Sequence, residues 1–213
     1  MWENNRECYH CRGNHPELIV AFPEGPWWNG LSGTPEEKAE VKRLHDKCES
    51  LGLPSSFVIS DDAQYRAMRI PLNKEGRSFT LTGQPAVTSK RLGSMPANDV
   101  VGDVLFYHYP NTWNHFLADH ALSFRVLPIS ATETEVVTKW LVPGDAVEGV
   151  DYDLKTLTEV WVATNDQDRM LVERNQAGMS SPAYEPGPYS TVHEDGVNQF
   201  IDWYCTAIKR RLE

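Results

Sequence analysis

The chain has 213 residues, of which 40% are hydrophobic, and its 20 basic and 30 acidic side chains leave a net charge of -10. This length predicts one domain with a core of its own, and the acidic balance excludes a general attraction to nucleic acid or anionic lipid. No apolar run approaches the roughly 20 residues that cross a bilayer, and the N-terminus lacks the features of a signal peptide. We therefore expect a single cytoplasmic domain over residues 1–213, without a nucleic-acid or membrane partner.

The first predicted element is a short helix over residues 2–12, which ends at Gly13. Glu7 and His10 are three residues apart and therefore lie one turn apart on one face of such a helix. His15 follows the break, where the chain can fold back so that this histidine faces His10. The segment thus brings one carboxylate and two imidazoles within reach of one another.

The spacing of hydrophobic residues divides the rest of the chain into predicted helices, strands and a loop. A helix is predicted over residues 34–52, because a threonine cap and a proline open it and a glycine ends it. Short alternating and β-branched runs between residues 57 and 142 predict an antiparallel sheet whose last two strands form a hairpin. A helical period begins near residue 154, a loop without period covers 180–191, and an amphipathic helix over 196–213 closes the chain.

An apolar stripe at spacings of three and four runs along the helix that begins near residue 154. Its members are Leu154, Leu157, Trp161, Thr164, Asp168 and Leu171. Asp168 is the exception, because a carboxylate on an apolar face costs several kcal/mol of desolvation unless it is paired or binds a cation. Two interpretations stay open: Asp168 has such a partner, or the helix frays near Asn165 and exposes it.

Four interpretations of the segment ECYHCRGNHPEL, residues 7–18, compete. The spacing Cys8-x2-Cys11 occurs in structural zinc sites, but Cys48 and Cys205 do not supply a second pair. The same spacing occurs in redox motifs, although the strand-to-helix context of such motifs is absent, and we expect reduced thiols. A third interpretation makes the two histidines and a distant carboxylate the ligands of a non-haem iron with open positions. The fourth treats both histidines as ordinary core residues.

Two motifs carry a resemblance to a known family. ENNRECYHCRGNHPEL, residues 3–18, resembles the iron-ligand segment in the catalytic domain of Rieske-type non-haem iron oxygenases, in which an acid is followed by two histidines and a proline. TNDQDRMLVERNQAGM, residues 164–179, resembles the later motif of that family, with Asp168, Glu173 and Gln176 at the matching positions. The motifs occur in the family's order.

The resemblance implies a fold and an iron site. The fold is α+β, an antiparallel β-sheet flanked by helices, of the helix-grip type. The implied ligands of a mononuclear Fe(II) are His10, His15 and Asp168, which selects Asp168 over Asp166. Glu7 is the implied catalytic acid, which in the family joins an iron-ligand histidine to the electron-donating cluster of a neighbouring subunit.

Within the family, stretches such as LFYHYPNTWNHFLADHALSFRVLPIS, residues 105–130, resemble the branch that acts on quaternary amines. This implies oxidative N-demethylation, foremost of glycine betaine to dimethylglycine and formaldehyde. Alternative substrates are stachydrine, carnitine, choline or an aromatic ring, and the alternative function is a non-catalytic module that binds quaternary amines on the same fold.

Aromatic faces recognise a trimethylammonium group, which has no hydrogen-bond donor. Strand alternation places about half of the aromatic residues between 106 and 116 inward. Tyr107, Tyr109 and Trp113 share parity, so we expect these three to line the substrate pocket. His108 and His115 are candidates for binding the substrate carboxylate.

The resemblance also implies further cofactors and partners. Members of the family take electrons from a Rieske [2Fe-2S] cluster, and the chain does not carry the combined C-x-H and C-x2-H pairs that hold it. We therefore expect a catalytic domain whose Rieske domain is missing or acts in trans, together with dioxygen and a ferredoxin reductase component. A homotrimer is a further expectation. The polypeptide alone is expected to bind Fe(II) and a quaternary amine without turning over.

Overall fold

The protein is described here by a computed structural model, which covers residues 1–23, 33–73, 78–82, 84, 86–96 and 100–213. Within these residues the architecture is a six-stranded antiparallel sheet with helices packed against it. The α+β class predicted from the sequence is confirmed. No helix of the described residues is long and apolar enough to cross a membrane.

The sheet is a meander in which every strand pairs with its neighbours in the chain. The strands are β1 (Val58–Ile59), β2 (Tyr65–Ile70), β3 (Asp103–His108), β4 (Thr112–Phe116), β5 (Ala121–Ser130) and β6 (Glu133–Leu141). As predicted, the last two strands form a hairpin, in which Ser130 pairs with Glu133. The connections from β3 to β6 are short, so local contacts are sufficient to order these four strands, whereas residues 71–102 lie between the paired strands β2 and β3.

The helices precede and follow the sheet in the chain. They are α1 (Trp2–Asn5), α2 (Cys11–Asn14), a 3-10 turn (Leu18–Val20), α3 (Pro35–Ser50), α4 (Leu154–Met179) and α5 (Asp195–Leu212). Helix α3 begins with a complete capping box, because Thr34 accepts from the amide of Glu37 while the Glu37 carboxylate accepts from the amide of Thr34. The predicted helix over 34–52 is confirmed.

The predicted single helix over residues 2–12 is wrong, because the segment contains two short helices with a turn between them. In that turn the Glu7 carboxylate accepts from the amide of Tyr9, and Cys8 and Cys11 form a disulfide. The expectation of reduced thiols is therefore wrong for this pair. The turn brings Glu7 and His10 together, as the helix was expected to do, and His15 caps the end of α2.

Helix α4 is continuous for 26 residues, so the fraying considered near Asn165 does not occur. Asp153 caps its first turn by accepting from the amide of Thr156. Asn165 stays within the helix and donates from its side chain to the hydroxyl of Thr138 on β6. Because the helix does not break, the apolar stripe carries Asp168 to the same side of the helix as buried Trp161.

The core lies between the inner face of the sheet, the start of α4 and the N-terminal segment. Trp161 of α4 packs edge-to-face on Phe124 of β5, and its ring centroid is 4.6 Å from that of His115 on β4. Trp2 of α1 packs on Trp113 of β4 and donates its indole N–H to the carbonyl of Pro110. The Trp2 contacts hold α1 against the sheet, and the 3-10 turn packs on α4, where the candidate site lies.

Candidate metal centre and adjoining cavity

Three side chains from two distant parts of the chain converge on one point. Oδ1 of Asp168 is 3.4 Å from Nε2 of His10 and 3.2 Å from Nε2 of His15. The two imidazole rings are 5.0 Å apart between centroids and nearly perpendicular. Ligands bonded to one metal at about 2.1 Å lie about 3 Å from one another, so Oδ1 of Asp168 is near coordination-shell spacing from each of the two nitrogens.

Each imidazole is held in position through its other nitrogen. Nδ1 of His10 is 2.6 Å from Oε1 of Glu7, and Nδ1 of His15 is 2.9 Å from Oε1 of Gln167. The Gln167 amide donates in turn to the carboxylate of Glu17, which fixes the orientation of the amide. With Nδ1 hydrogen-bonded, Nε2 of each ring is the nitrogen turned towards Asp168, as in metal sites whose histidines have a supporting acceptor.

The contact between His10 and Asp168 shifts the pKa of both groups. Burial alone would lower the pKa of His10, but hydrogen bonds to Asp168 and Glu7 raise the pKa to about 9. Burial would raise the pKa of Asp168, but hydrogen bonds from His10, His15 and Asn4 hold that pKa far below its usual range. The two carboxylates thus favour positive charge at His10. A divalent cation can replace a proton there, which is how metal binding and proton release are coupled.

Cys11 also offers a sulfur near the two histidines, since ligand atoms of His10, Cys11 and His15 lie within 4.8 Å of one another. That sulfur is bonded to Cys8 in the disulfide, so it is not a thiolate ligand. The Asp168 carboxylate, which contacts both histidines, could serve as the third donor. Two histidines and one carboxylate fit a non-haem iron better than a structural zinc, because this set leaves coordination positions open.

A cavity of about 80 Å³ adjoins the three donors, and its wall is partly aromatic and partly charged. The aromatic members of the wall are Phe22, Tyr107, His115 and Trp161. Arg6, Arg66 and Asp195 are charged members on the same wall. Such a wall suits a small ligand that has both an apolar or cationic part and an anionic part.

The residues predicted to line a substrate pocket lie in three different places. Tyr107 and His115 line the cavity. Tyr109 and Trp113 are on the same face of the sheet but lie behind the wall: the hydroxyl of Tyr109 accepts from Nε of Arg6, and Trp113 stacks on Phe124. His108 follows Tyr107 on β3, so its side chain is on the opposite face of the sheet, where it stacks with Phe106.

The structure adds residues that the sequence reasoning did not select. Asn4 donates to Oδ1 of Asp168 at 2.7 Å, and Gln167 supports His15. Trp161 was on the predicted stripe and was the available signal for a wall residue near Asp168. Arg66 shares strand parity with Met68 and Ile70, and this parity was the available signal that its side chain is buried.

Comparison with known families places the chain. Residues 1–210 match the family described as the ring hydroxylating alpha subunit, catalytic domain. The chain therefore belongs to this family of oxygenases, which implies a non-haem iron centre.

The curated relatives narrow the comparison. The chain is 44% identical over 211 residues to the glycine betaine monooxygenase oxygenase subunit of Chromohalobacter salexigens, which covers 99% of this chain and 47% of that protein. It is 46% identical over 213 residues to the protein of the same description from Pseudomonas aeruginosa strain UCBPP-PA14, which covers 99% of this chain and 48% of that protein. The chain thus spans about half the length of the curated relatives it matches.

Proposed function

We propose that residues 1–213 form the catalytic domain of an oxygenase component that removes one methyl group from glycine betaine. The observation that carries this proposal is the convergence of His10, His15 and Asp168 at the end of a cavity with aromatic walls. The similarity to glycine betaine monooxygenase oxygenase subunits supplies the substrate. A mononuclear Fe(II) would be held by His10, His15 and Asp168.

The proposed reaction consumes glycine betaine, dioxygen, two electrons and two protons, and it yields dimethylglycine, formaldehyde and water. A bound Fe(II) would supply the activation of dioxygen. The protein supplies the rest: the aromatic face of Trp161 contacts the trimethylammonium group, and the cavity wall holds the reacting methyl beside the three donors. The hydroxylated methyl forms a hemiaminal, whose C–N bond breaks to release formaldehyde.

Glu7 is proposed to join the iron site to its electron source. Its carboxylate receives the Nδ1 hydrogen of His10 at 2.6 Å, while its other oxygen accepts from the amide of Tyr9. The proposed source is a Rieske [2Fe-2S] cluster supplied with electrons by a ferredoxin reductase component. A homotrimer would place the cluster of one subunit near Glu7 of another.

Hydrogen peroxide tests the reaction without any electron donor, because peroxide carries both the oxygen atom and the reducing equivalents. The chain is loaded anaerobically with Fe(II), mixed with glycine betaine and peroxide, and formaldehyde and dimethylglycine are measured in a single turnover. We expect the two products in equal amounts, up to about one per iron.

Asp168→Ala and Asp166→Ala form a matched pair for this test. Asp168 contacts both histidines, whereas Asp166 is an exposed residue of the same helix that pairs with Arg169. We expect loss of iron and of products in Asp168→Ala and wild-type values in Asp166→Ala. Betaine binding with no iron-dependent product in the wild-type chain would instead support the binding module. If choline, carnitine, stachydrine or an aromatic compound is turned over faster than glycine betaine, that compound is the preferred substrate instead.

A further inference from the structure

Two arginine side chains are buried around one tyrosine in the cavity wall. Arg66 on β2 is paired across the strands with Tyr107 on β3, so the two side chains are neighbours on the inner face of the sheet. The guanidinium carbon of Arg6 lies 3.7 Å from the centroid of the Tyr107 ring. Arg6 is 6% exposed and Arg66 is 1% exposed, and both line the cavity that adjoins the metal centre.

The hydrogen bonds of Arg66 are incomplete. Nη2 of Arg66 is 3.0 Å from a carboxylate oxygen of Asp195, but Nε of Arg66 has no hydrogen-bond partner among the described residues. A buried donor of this kind costs on the order of 1 to 3 kcal/mol, more when the group is charged, so a native protein needs a reason to retain it.

Arg69, three residues after Arg66 on β2, is also almost fully buried and has a purely structural set of contacts. Its Nε donates to the carbonyl of Pro54 and its Nη1 donates to the carbonyl of Val101. Arg69 does not line the cavity. Burial of an arginine in this protein therefore does not by itself leave Nε without a partner.

The charges around Arg66 favour an anion. Burial lowers the pKa of the Arg66 guanidinium, and the nearby charge of Arg6 lowers it further. Asp195 contributes one negative charge to this part of the wall, and its side chain is 46% exposed, so it screens the two guanidinium groups only partly. A carboxylate within the cavity would balance the remaining positive charge and accept the unused N–H.

We propose that Arg66, assisted by Arg6, binds the carboxylate of the substrate and thereby selects quaternary ammonium compounds that carry an acid group. This inference rests on the proposed function and adds recognition of the substrate carboxylate, which the aromatic wall does not bind. The carboxylate held at Arg66 would direct the trimethylammonium group away from the guanidinium groups, towards Trp161 and the metal centre, since like charges repel. It assigns to Arg66 the carboxylate contact that the sequence suggested for His108 and His115.

Three small molecules of similar shape test separately how the carboxylate and the quaternary nitrogen of the substrate contribute to binding. Glycine betaine carries both charges, choline carries the quaternary nitrogen without the carboxylate, and 3,3-dimethylbutanoate carries the carboxylate beside an uncharged tert-butyl group. Affinities for the iron-loaded chain are measured anaerobically by titration calorimetry. We expect Arg66→Gln to weaken glycine betaine and 3,3-dimethylbutanoate at least about tenfold and to leave choline unchanged.

Two further variants separate binding from folding. Asp195→Asn breaks the same ion pair as Arg66→Gln but leaves the guanidinium in place, so we expect it to strengthen binding of both carboxylate ligands. Arg69→Gln removes the other buried arginine of β2, and we expect it to lower the thermal midpoint of unfolding without a difference between choline and glycine betaine. Thermal unfolding of every variant shows that each titration reports on folded protein.

The proposal fails if Arg66→Gln weakens choline as much as glycine betaine, if Asp195→Asn lowers carboxylate affinity as Arg66→Gln does, or if the wild-type chain binds neither carboxylate ligand. The outcome is independent of catalysis. If 3,3-dimethylbutanoate binds through Arg66 while peroxide releases no formaldehyde from glycine betaine, the carboxylate site stands and the proposed demethylation does not.

Discussion

Gln167 supports His15: Oε1 of the amide is 2.9 Å from Nδ1 of the ring, and this contact turns Nε2 of the ring towards Asp168, the next residue on α4. One helix thus supplies both the proposed metal ligand Asp168 and the group that orients the proposed ligand His15.

Gln167→Leu is expected to lower the affinity for Fe(II) by about 10-fold to 100-fold, the usual effect of removing a group that orients a metal-ligating histidine. The affinity is measured by anaerobic titration with a competing chelator. The double variant Glu17→Gln/Gln167→Glu exchanges the two side chains that hydrogen-bond to each other and retains an acceptor for His15. We expect this exchange to restore most of the affinity; equal losses in both variants would contradict a positioning role.

Glu7→Gln is expected to separate electron delivery from chemistry. The glutamine retains one acceptor, its amide oxygen, for Nδ1 of His10 but loses the acceptor for the amide of Tyr9, so iron binding and peroxide-driven formaldehyde release should stay within about tenfold of wild type. In an oxygenase assembled with a Rieske domain and reductase, NADH-driven turnover should fall by at least about 100-fold. Equal losses with peroxide and with NADH would mean that Glu7 acts on the iron site itself.

Asp119 is expected to make stability depend on pH. This buried carboxylate accepts from the amide of Val87, the hydroxyl of Ser78 and the ring of His120. Burial raises its pKa, but the hydrogen bond and charge of His120, with the other donors, lower the pKa below its ordinary value. A folded pKa below the unfolded one stabilises the protein above the unfolded value of about 3.9, and the benefit declines as the pH falls through the folded pKa.

Asp119→Asn should therefore lower the free energy of unfolding by about 1 to 3 kcal/mol at pH 7 and by less at pH 3. The measurement is urea unfolding of both proteins from pH 3 to pH 8. Asp46→Asn, which alters an exposed carboxylate on α3, is the control and should show no such trend. A difference between wild type and Asp119→Asn that is constant with pH would contradict the assignment.

Two glycines are expected to respond in opposite directions to alanine. Gly102 has a φ of +65°, and a Cβ there would lie 2.1 Å from the carbonyl oxygen of Ile70, so Gly102→Ala should cost more than about 2 kcal/mol. Gly178 lies inside α4 with no atom within 4 Å of an added Cβ, so Gly178→Ala should stabilise by up to about 1 kcal/mol. Chemical unfolding of both variants measures the contrast; destabilisation of similar size in both would contradict it.

The sequence predicted those features that depend on nearby residues. The capping box at Thr34, the alternating strands and the apolar stripe that singled out Asp168 are all readable within about 20 residues of chain. The single helix predicted at the N-terminus failed because a hydrogen bond from the amide of Tyr9 and the disulfide between Cys8 and Cys11 outweigh helix propensity there.

The supporting residues of the site could not be predicted because contacts between distant segments select them. Nothing in the sequence around Asn4 or Gln167 distinguishes them from other polar residues. Their roles follow from the approach of α1 and α4 at Asp168. Arg66 shares strand parity with the apolar Met68 and Ile70, which places it on the inner face, but only the pairing of β2 with β3 shows that its neighbour there is Tyr107. The predicted roles of Tyr109, Trp113 and His108 in substrate binding stay predictions.

A metal at this centre would act as a cross-link as well as a reactant. His15 and Asp168 are about 150 residues apart in the chain, so their coordination by one ion closes a long loop and pins the N-terminal segment to α4. The measured affinity for iron then includes the free energy of docking that segment. Trp2 is anchored by its hydrogen bond to Pro110 and contacts none of the three proposed metal ligands. A substitution that weakens this anchor would lower the affinity for iron, because residues 1–23 would detach more easily.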